Sequence, residues 1–153
     1  MGRIAGIRIK NYGALKDIKM GKLLFDSKGK ELTNINAIIG QSGTGKSTLA
    51  DAFGFLADCL EKGVEVACDL NGRGGYEKLI SQHSEEPIEF EIYYRETSNE
   101  PPITYELSIG LDKYDRPTVE KERLRQRRAN ERYGRPMSFL FLEFGKGFAF
   151  KGN

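Results

Sequence analysis

The chain has 153 residues, of which 39% are hydrophobic and 30% are charged, and its formal net charge is +2. This length corresponds to one ordinary soluble domain, and the charge balance is too mild to indicate a polyanionic partner by itself. The longest apolar runs are too short to span a bilayer, and residues 1–10 lack a signal-peptide core. Cys59 and Cys68 match no metal-binding spacing, so we interpret them as free thiols of a cytoplasmic protein.

Strand-like patterns open the chain. Residues 3–10 end in alternating apolar and basic side chains, and residues 15–20 form a second, weaker pattern. The segments "KLLFD" and "ELTNINAIIG" flank residues 27–30 and predict a hairpin there. Residues 35–39 form a nearly continuous apolar run, which is typical of a strand buried on both faces in a parallel sheet.

In the middle and at the end of the chain, the spacing of the apolar residues changes. Apolar residues repeat at helical spacing from Leu49 to Leu60, and a helix is expected to end near Lys62-Gly63. Residues 88–95 and 103–111 then alternate with a period of two, and "PTVEKERLRQRR" continues the pattern more weakly. The segments "MSFLFLEF" and "FAFKG" enclose Gly145-Lys146-Gly147 and predict a closing hairpin.

The glycine-rich loop before the predicted helix carries the clearest chemical signal. Its sequence "GQSGTGKS" fits G-x-x-x-x-G-K-[ST], the phosphate-binding P-loop, and it stands between a predicted strand and a predicted helix as that motif requires. Glycines allow backbone N–H groups to turn towards phosphate oxygens, and the start of the helix attracts anions. The predicted nucleotide-binding residues of the loop are Gly40, Gln41, Ser42, Gly43, Thr44, Gly45, Lys46, Ser47 and Thr48.

Two of these residues have more specific roles. Lys46 is the predicted catalytic residue, because its ammonium group reaches the β- and γ-phosphates in such loops. Ser47 is the predicted ligand of Mg²⁺ through its hydroxyl group. The Asn-Lys-x-Asp motif that reads guanine is missing, and Asp69-Leu70-Asn71-Gly72 reads as a simple polar turn, so the sequence favours ATP over GTP.

These elements predict an α/β fold. We expect a P-loop NTPase lobe in which a mixed sheet is joined to an antiparallel β subdomain, and in which the ATPase fold is incomplete. The expected organisation is a single lobe over residues 1–153. It divides into residues 1–63 with strands, P-loop and helix, an irregular linker over 64–86, and an antiparallel meander over 87–153.

Two segments together resemble a known family. "IRIKNYGALKDI" and "NAIIGQSGTGKSTLADAFGFL" are similar to the amino-terminal part of ABC-type ATPases of the SMC and RecF kind. The likeness is greatest to the AAA-domain ATPases grouped with the overcoming-lysogenisation-defect proteins, in which segments like "GGYEKLI" and "GRPMSFLFLEFGKGFAFKG" follow in the same order. The resemblance implies that Lys10, Asn11 and Tyr12 lie near the nucleotide, with Tyr12 packed on its adenine or ribose. The alternative for Tyr12 is an aromatic side chain that covers the edge of the core.

The carboxylates needed for hydrolysis are missing from this sequence. An ABC-type ATPase uses an apolar strand that ends in Asp-Glu, and the nearest match is Glu143 after "SFLFL", which also reads as an edge-strand glutamate. The Q-loop glutamine of the family has two candidates, Gln82 and Gln126, and is assigned to neither. His83, the one histidine, reads as a solvated loop residue. We therefore expect a missing carboxy-terminal lobe, a second subunit that forms a dimer, and near-inactivity of this chain alone.

Two further interpretations remain open at this stage. Residues 121–135 hold seven basic side chains and Tyr133, which would suit nucleic-acid contact, but interspersed glutamates suit a solvated face as well. The alternatives to an ATPase lobe are a small P-loop kinase with an arginine-rich lid over residues 123–128, and a non-catalytic nucleotide-binding interaction module. No membrane partner is expected.

Overall fold

The computed structural model describes residues 2–128 and 135–150, and within them one antiparallel sheet dominates. Seven strands are paired in the order β2-β1-β3-β4-β5-β6-β7. Their bounds are β1 Arg3–Tyr12, β2 Leu15–Gly21, β3 Ile88–Arg95, β4 Ile103–Leu111, β5 Pro117–Gln126, β6 Met137–Glu143 and β7 Lys146–Ala149. Every neighbouring pair is antiparallel. The prediction of a mixed sheet was therefore wrong for the described residues.

Three helices follow one another between β2 and β3 in the described chain. They are α1 Lys46–Lys62, α2 Val64–Asp69 and α3 Tyr76–Leu79, with a 3₁₀ turn at Leu70–Gly72 between the last two. The end of α1 matches the prediction, since Gly63 follows it with φ 88° and its amide closes the last turn on the carbonyl of Cys59. The segment 64–86, expected to be irregular, thus contains two short helices.

The hydrophobic core lies between one face of the sheet and these helices. Ile9, Phe90 and Ile109 from three strands are buried against Phe55 of α1, which is 0% exposed. Each such side chain contributes about 1.5–3 kcal/mol when it leaves water. Because β3 pairs with β1 as well as with β4, the first strands and the strands of the meander belong to one continuous sheet.

The opposite face of the sheet, called the outer face below, is charged. Arg8 on β1 stands beside Glu91 on β3, Glu91 faces Glu106 on β4, and Glu106 faces Arg123 on β5. The segment 22–32 covers one end of this face, where Leu23 is buried. The predicted hairpin around residues 27–30 is absent from the described structure, because this segment packs on the sheet as a loop.

The largest departure from prediction concerns residues 35–39. This segment was expected to be a doubly buried strand, but residues 33–44 belong to no helix or strand and are exposed. Ile35 is 89% exposed and Ile39 is 94% exposed. The described strands pair only with one another, all antiparallel, and none of them is paired with this segment.

Both thiols are buried and unpaired, as the sequence predicted. Cys59 lies on α1 and Cys68 on α2. Burial raises the pKa of Cys59 to about 12 and that of Cys68 to about 11. A thiol that stays protonated is a poor nucleophile, so these cysteines act as small core residues.

Candidate functional site

The P-loop lies where the exposed segment meets the first helix. Residues 40–45 form the loop, and Lys46 is the first residue of α1. Gly43 and Gly45 adopt left-handed backbone angles, with φ 82° and 90°. These two positions require glycine, because a side chain in this region of backbone space costs about 1–2 kcal/mol. The sequence signal thus corresponds to a loop with an enforced local shape.

The backbone amides of the loop are free to bind an anion. Among the described residues, the amides of Gly43, Gly45, Lys46 and Ser47 have no hydrogen-bond acceptor, and the first helical bond runs from Leu49 to the carbonyl of Gly45. The first turn of α1 has no acidic residue and no side-chain cap. An uncapped helix start that carries a lysine attracts negative charge. A phosphate group can therefore accept hydrogen bonds from these four amides without breaking an existing one.

The ammonium group of Lys46 lies inside the loop. Its Nζ atom donates to the carbonyl oxygen of Gly40 at 2.6 Å and to that of Gln41, and lies 3.4 Å from Thr44 Oγ1. These contacts hold the Lys46 ammonium group over the loop. The side chain must break them before it can bind a phosphate. Ser47 is exposed, while Thr48 is partly buried.

The β1–β2 turn supports the loop from the side of the sheet. A Cβ atom added to Gly13 would lie 2.9 Å from Thr48 Cγ2, and one added to Gly45 would lie 3.2 Å from Leu15 Cδ2. The amide of Gly13 donates to the carbonyl of Leu79 at 2.6 Å, which fastens the turn to the end of α3. The hairpin and α3 therefore fix the position of the start of α1.

Tyr12 belongs to the core. Its side chain is 1% exposed, its ring lies 5.2 Å from that of Phe55 and 6.2 Å from that of Phe90, and its hydroxyl donates to Asp51 Oδ2. Burial, and then the hydrogen bond to Asp51, raise the pKa of Tyr12 well above its ordinary value. This placement supports the alternative interpretation of Tyr12 and leaves it no surface on which a nucleotide base can stack.

A buried arginine completes the surroundings of Tyr12, and sequence reasoning missed it. Arg73 donates to Asp51 at 3.1 Å and to Asp58 at 2.6 Å, and its guanidinium carbon lies 5.5 Å from the ring centre of Phe55. The Arg73 side chain is 3% exposed, and its hydrogen bond holds the pKa of Asp58 below the ordinary value. Its sequence context, "NGRGG", indicates only a loop, so no local signal could have found it.

Other residues named from the sequence lie apart from the loop chemistry. Lys10 forms an ion pair with Glu89 at 2.9 Å on the outer face, and Asn11 donates to the carbonyl of Pro87. Gln126 donates to the carbonyl of Pro101, which gives it a structural partner in β5. Glu143 ends β6 in an exposed position. None of these contacts brings a second ionic group to the P-loop.

Two further candidates from the sequence lie in one loop, and a third lies outside the described residues. Gln82 and His83 are exposed in the loop after α3, as expected for solvated residues. Tyr133, the candidate stacking residue of the basic stretch, lies outside the described residues. Within residues 2–128 and 135–150, no group of three or more His, Cys, Asp or Glu side chains is placed to hold a metal ion. Every helix described is too short or too polar to cross a membrane.

Comparison with known proteins gives a family match. A family model described as "AAA domain, putative AbiEii toxin, Type IV TA system" matches residues 35–147, about three quarters of the chain. No curated protein and no solved structure matches the chain. The matched region begins at Ile35 and includes the P-loop, the three helices and strands β3 to β6, and it leaves out β1 and β2. It supports a P-loop ATPase-type domain, which agrees with the coarser part of the resemblance drawn from the sequence.

Proposed function

Because the chain belongs to the AAA-domain family described as a putative AbiEii toxin of a Type IV TA system, we propose that residues 40–48 bind ATP. The observation that carries the proposal is the group of four free amides beside the Lys46 ammonium. A triphosphate presents several negative oxygens, and oriented amides with a mobile cation are the groups that bind it. The proposed ligand contacts are the loop residues and Thr48, without Tyr12.

The same loop offers a position for Mg²⁺. When bound with ATP, this ion neutralises charge on the phosphates and orients them. Ser47 is exposed next to Lys46 at the start of α1, and its hydroxyl is the group that would ligate the ion. Lys46 exchanges the carbonyl oxygens of Gly40 and Gln41 for phosphate oxygens, so its charge is neutralised in the complex.

We further propose that this is the ATP-binding lobe of an ABC-type ATPase whose hydrolytic carboxylates come from another lobe or subunit. In the described chain no amide of residues 34–43 donates a hydrogen bond, although the segment carries Ile35, Ile38 and Ile39. Exposed isoleucines with unpaired backbone amides are typical of a strand that lacks its neighbour. A strand from the second lobe would pair with this segment and bring its carboxylates beside the P-loop.

Two other readings have less support. A kinase lid over residues 123–128 requires a mobile arginine segment, but Arg123 and Arg125 belong to β5, which is paired on both sides. A non-catalytic module would also bind ATP through the P-loop, but for its folding or assembly. It differs from our proposal in one respect, because it would not hydrolyse ATP when a partner lobe is added. The buried unpaired thiols and the nucleotide ligand are the grounds on which we propose a cytoplasmic location.

Thermal denaturation with and without Mg-ATP tests the binding proposal. A ligand that binds only the folded chain at 100 times its Kd stabilises it by about 2.7 kcal/mol. We expect an increase in melting temperature with Mg-ATP and none with Mg-AMP, which lacks the β- and γ-phosphates. The Lys46→Ala chain should lose the increase, whereas Lys16→Ala, a substitution on exposed β2, should keep it. An unchanged melting temperature of the native chain at millimolar Mg-ATP would contradict the proposal.

A further inference from the structure

The outer face of the sheet ends in an aromatic ridge, defined here as Phe141, Phe148 and Phe150. The rings of Phe141 and Phe148 are 6.0 Å apart and those of Phe148 and Phe150 are 5.2 Å apart. Phe148 is 44% exposed and Phe150 is 62% exposed. Three contacting rings at the open edge of a sheet cannot be explained by the hydrophobic core, which lies on the other face.

Basic side chains lie beside the ridge. The guanidinium carbon of Arg123 lies 5.4 Å from the ring centre of Phe141. Lys121 and Lys146 are the two cross-strand partners of Glu143, which stands on the same face of β6 as Phe141. On the same face, Arg125 stacks on Phe25, which is 69% exposed. Single-stranded nucleic acids bind surfaces on which aromatic rings lie beside cations, with bases on the rings and phosphates at the cations.

The charges of the neighbouring strands limit the path of such a ligand. Glu89, Glu91 and Glu106 occupy the centre of the outer face and line a cavity of about 210 Å³ there. Arg8, Lys10 and Lys121 line the same cavity, so charges are balanced at the centre of the sheet and give no net attraction for a phosphate chain. The described residues of β5 to β7 and their flanks are instead net basic, with seven Lys or Arg and three Glu between residues 117 and 150. Charge complementarity thus directs a polyanion to the sheet edge.

We propose that this edge of the outer face binds single-stranded nucleic acid, with Phe148 and Phe150 as stacking residues and Lys121, Arg123 and Lys146 as phosphate contacts. The site is independent of the P-loop, which lies at the start of α1 on the helical side of the sheet. Neighbouring ring planes of the ridge are tilted by 42° and 59°, so the three rings do not form one flat stack.

Fluorescence anisotropy with a labelled 15-nucleotide oligothymidylate tests the proposal on the full chain at low salt. We expect saturable binding whose affinity falls with salt at a logarithmic slope of about −2, the value for three phosphate contacts on a single strand. Phe148→Ala and Phe150→Ala should each weaken binding about 10-fold. Both side chains are exposed and lie outside the hydrophobic core, so circular dichroism and melting temperature should remain those of the native chain.

Phe144→Ala is the matched control. Phe144 is 63% exposed in the turn of the same hairpin but makes no ring contact with the ridge, so its removal should leave the affinity unchanged. Lack of binding by the native chain at 20 mM salt, or equal weakening by the ridge and turn substitutions, would overturn the proposal. So would self-association that disappears in Phe148→Ala without oligonucleotide binding, because the ridge would then be a protein contact.

Discussion

The hydroxyl of Tyr12 donates to the carboxylate of Asp51 at 2.5 Å, and this bond joins the end of β1 to the second turn of α1. Arg73 holds the same carboxylate from the other side at 3.1 Å. Asp51 lies one helical turn beyond Ser47, so the bond fixes the helix that presents the P-loop. The carboxylate of Asp51 thus links the sheet to the helix that carries the candidate nucleotide site.

Tyr12→Phe should test whether this bond is structural. The ring would keep its packing on Phe55, but the carboxylate of Asp51 would lose a donor. Hydrogen bonds to charged groups contribute about 1.5–3 kcal/mol, and we expect a loss in this range in urea denaturation. Tyr114→Phe, at an exposed tyrosine, should be neutral. Nucleotide affinity should not change in Tyr12→Phe. A loss of affinity without a loss of stability would show that Tyr12 contributes to nucleotide binding.

The backbone of the P-loop gives a second prediction. Ala at Gly43 meets no atom within 4 Å, so its cost is that of the left-handed conformation, about 1–2 kcal/mol. Ala at Gly45 carries the same cost and also presses its Cβ to 3.2 Å from Leu15 Cδ2. We therefore expect Gly45→Ala to lower the free energy of unfolding more than Gly43→Ala. Equal values in chemical denaturation would show that Leu15 does not limit the loop.

Sequence patterns predicted the local elements of this fold better than their assembly. The period of two identified β3 and β4, and the helical period identified α1, because one-sided burial imposes those spacings on the chain. The pairing of β3 with β1 joins residues that are far apart in sequence, from Arg3 with Arg95 to Lys10 with Glu89, and no local pattern encodes such a choice. Similarly, the P-loop was recognisable because its glycines are required locally, whereas Arg73 depends on two aspartates distant in sequence.

Residues 35–39 show why the prediction of a buried strand was wrong. An apolar run predicts burial only when a neighbouring surface exists to cover it, and the described chain supplies none. Replacing Ile39, which is 94% exposed, by Lys should change the free energy of unfolding by less than about 0.5 kcal/mol. The buried Ile9 is the matched control, and Ile9→Lys should prevent folding. A large destabilisation by Ile39→Lys in a monomeric sample would show that the segment is a buried strand after all.

Glu91 supplies a pH-dependent prediction. It faces Glu106 across the strand pair and has no cation within ion-pair distance among the described residues. Burial, and then the charge of Glu106, raise the pKa of Glu91. The folded chain therefore holds this proton more tightly than the unfolded chain does, and the free energy of unfolding must fall as the pH rises from the ordinary to the raised pKa.

Glu91→Gln should remove this dependence and stabilise the chain above that window. The expected gain at pH 7 is about 0.5 kcal/mol, because a like-charged pair across neighbouring strands is relieved. Glu89→Gln serves as the control on the same strand and face, since Glu89 is paired with Lys10 at 2.9 Å and its neutralisation gives no gain. Urea denaturation of the native chain and both variants between pH 4 and pH 8 measures the effect. If Glu91→Gln is no more stable than Glu89→Gln at pH 7, the repulsion across β3 and β4 is already screened by solvent.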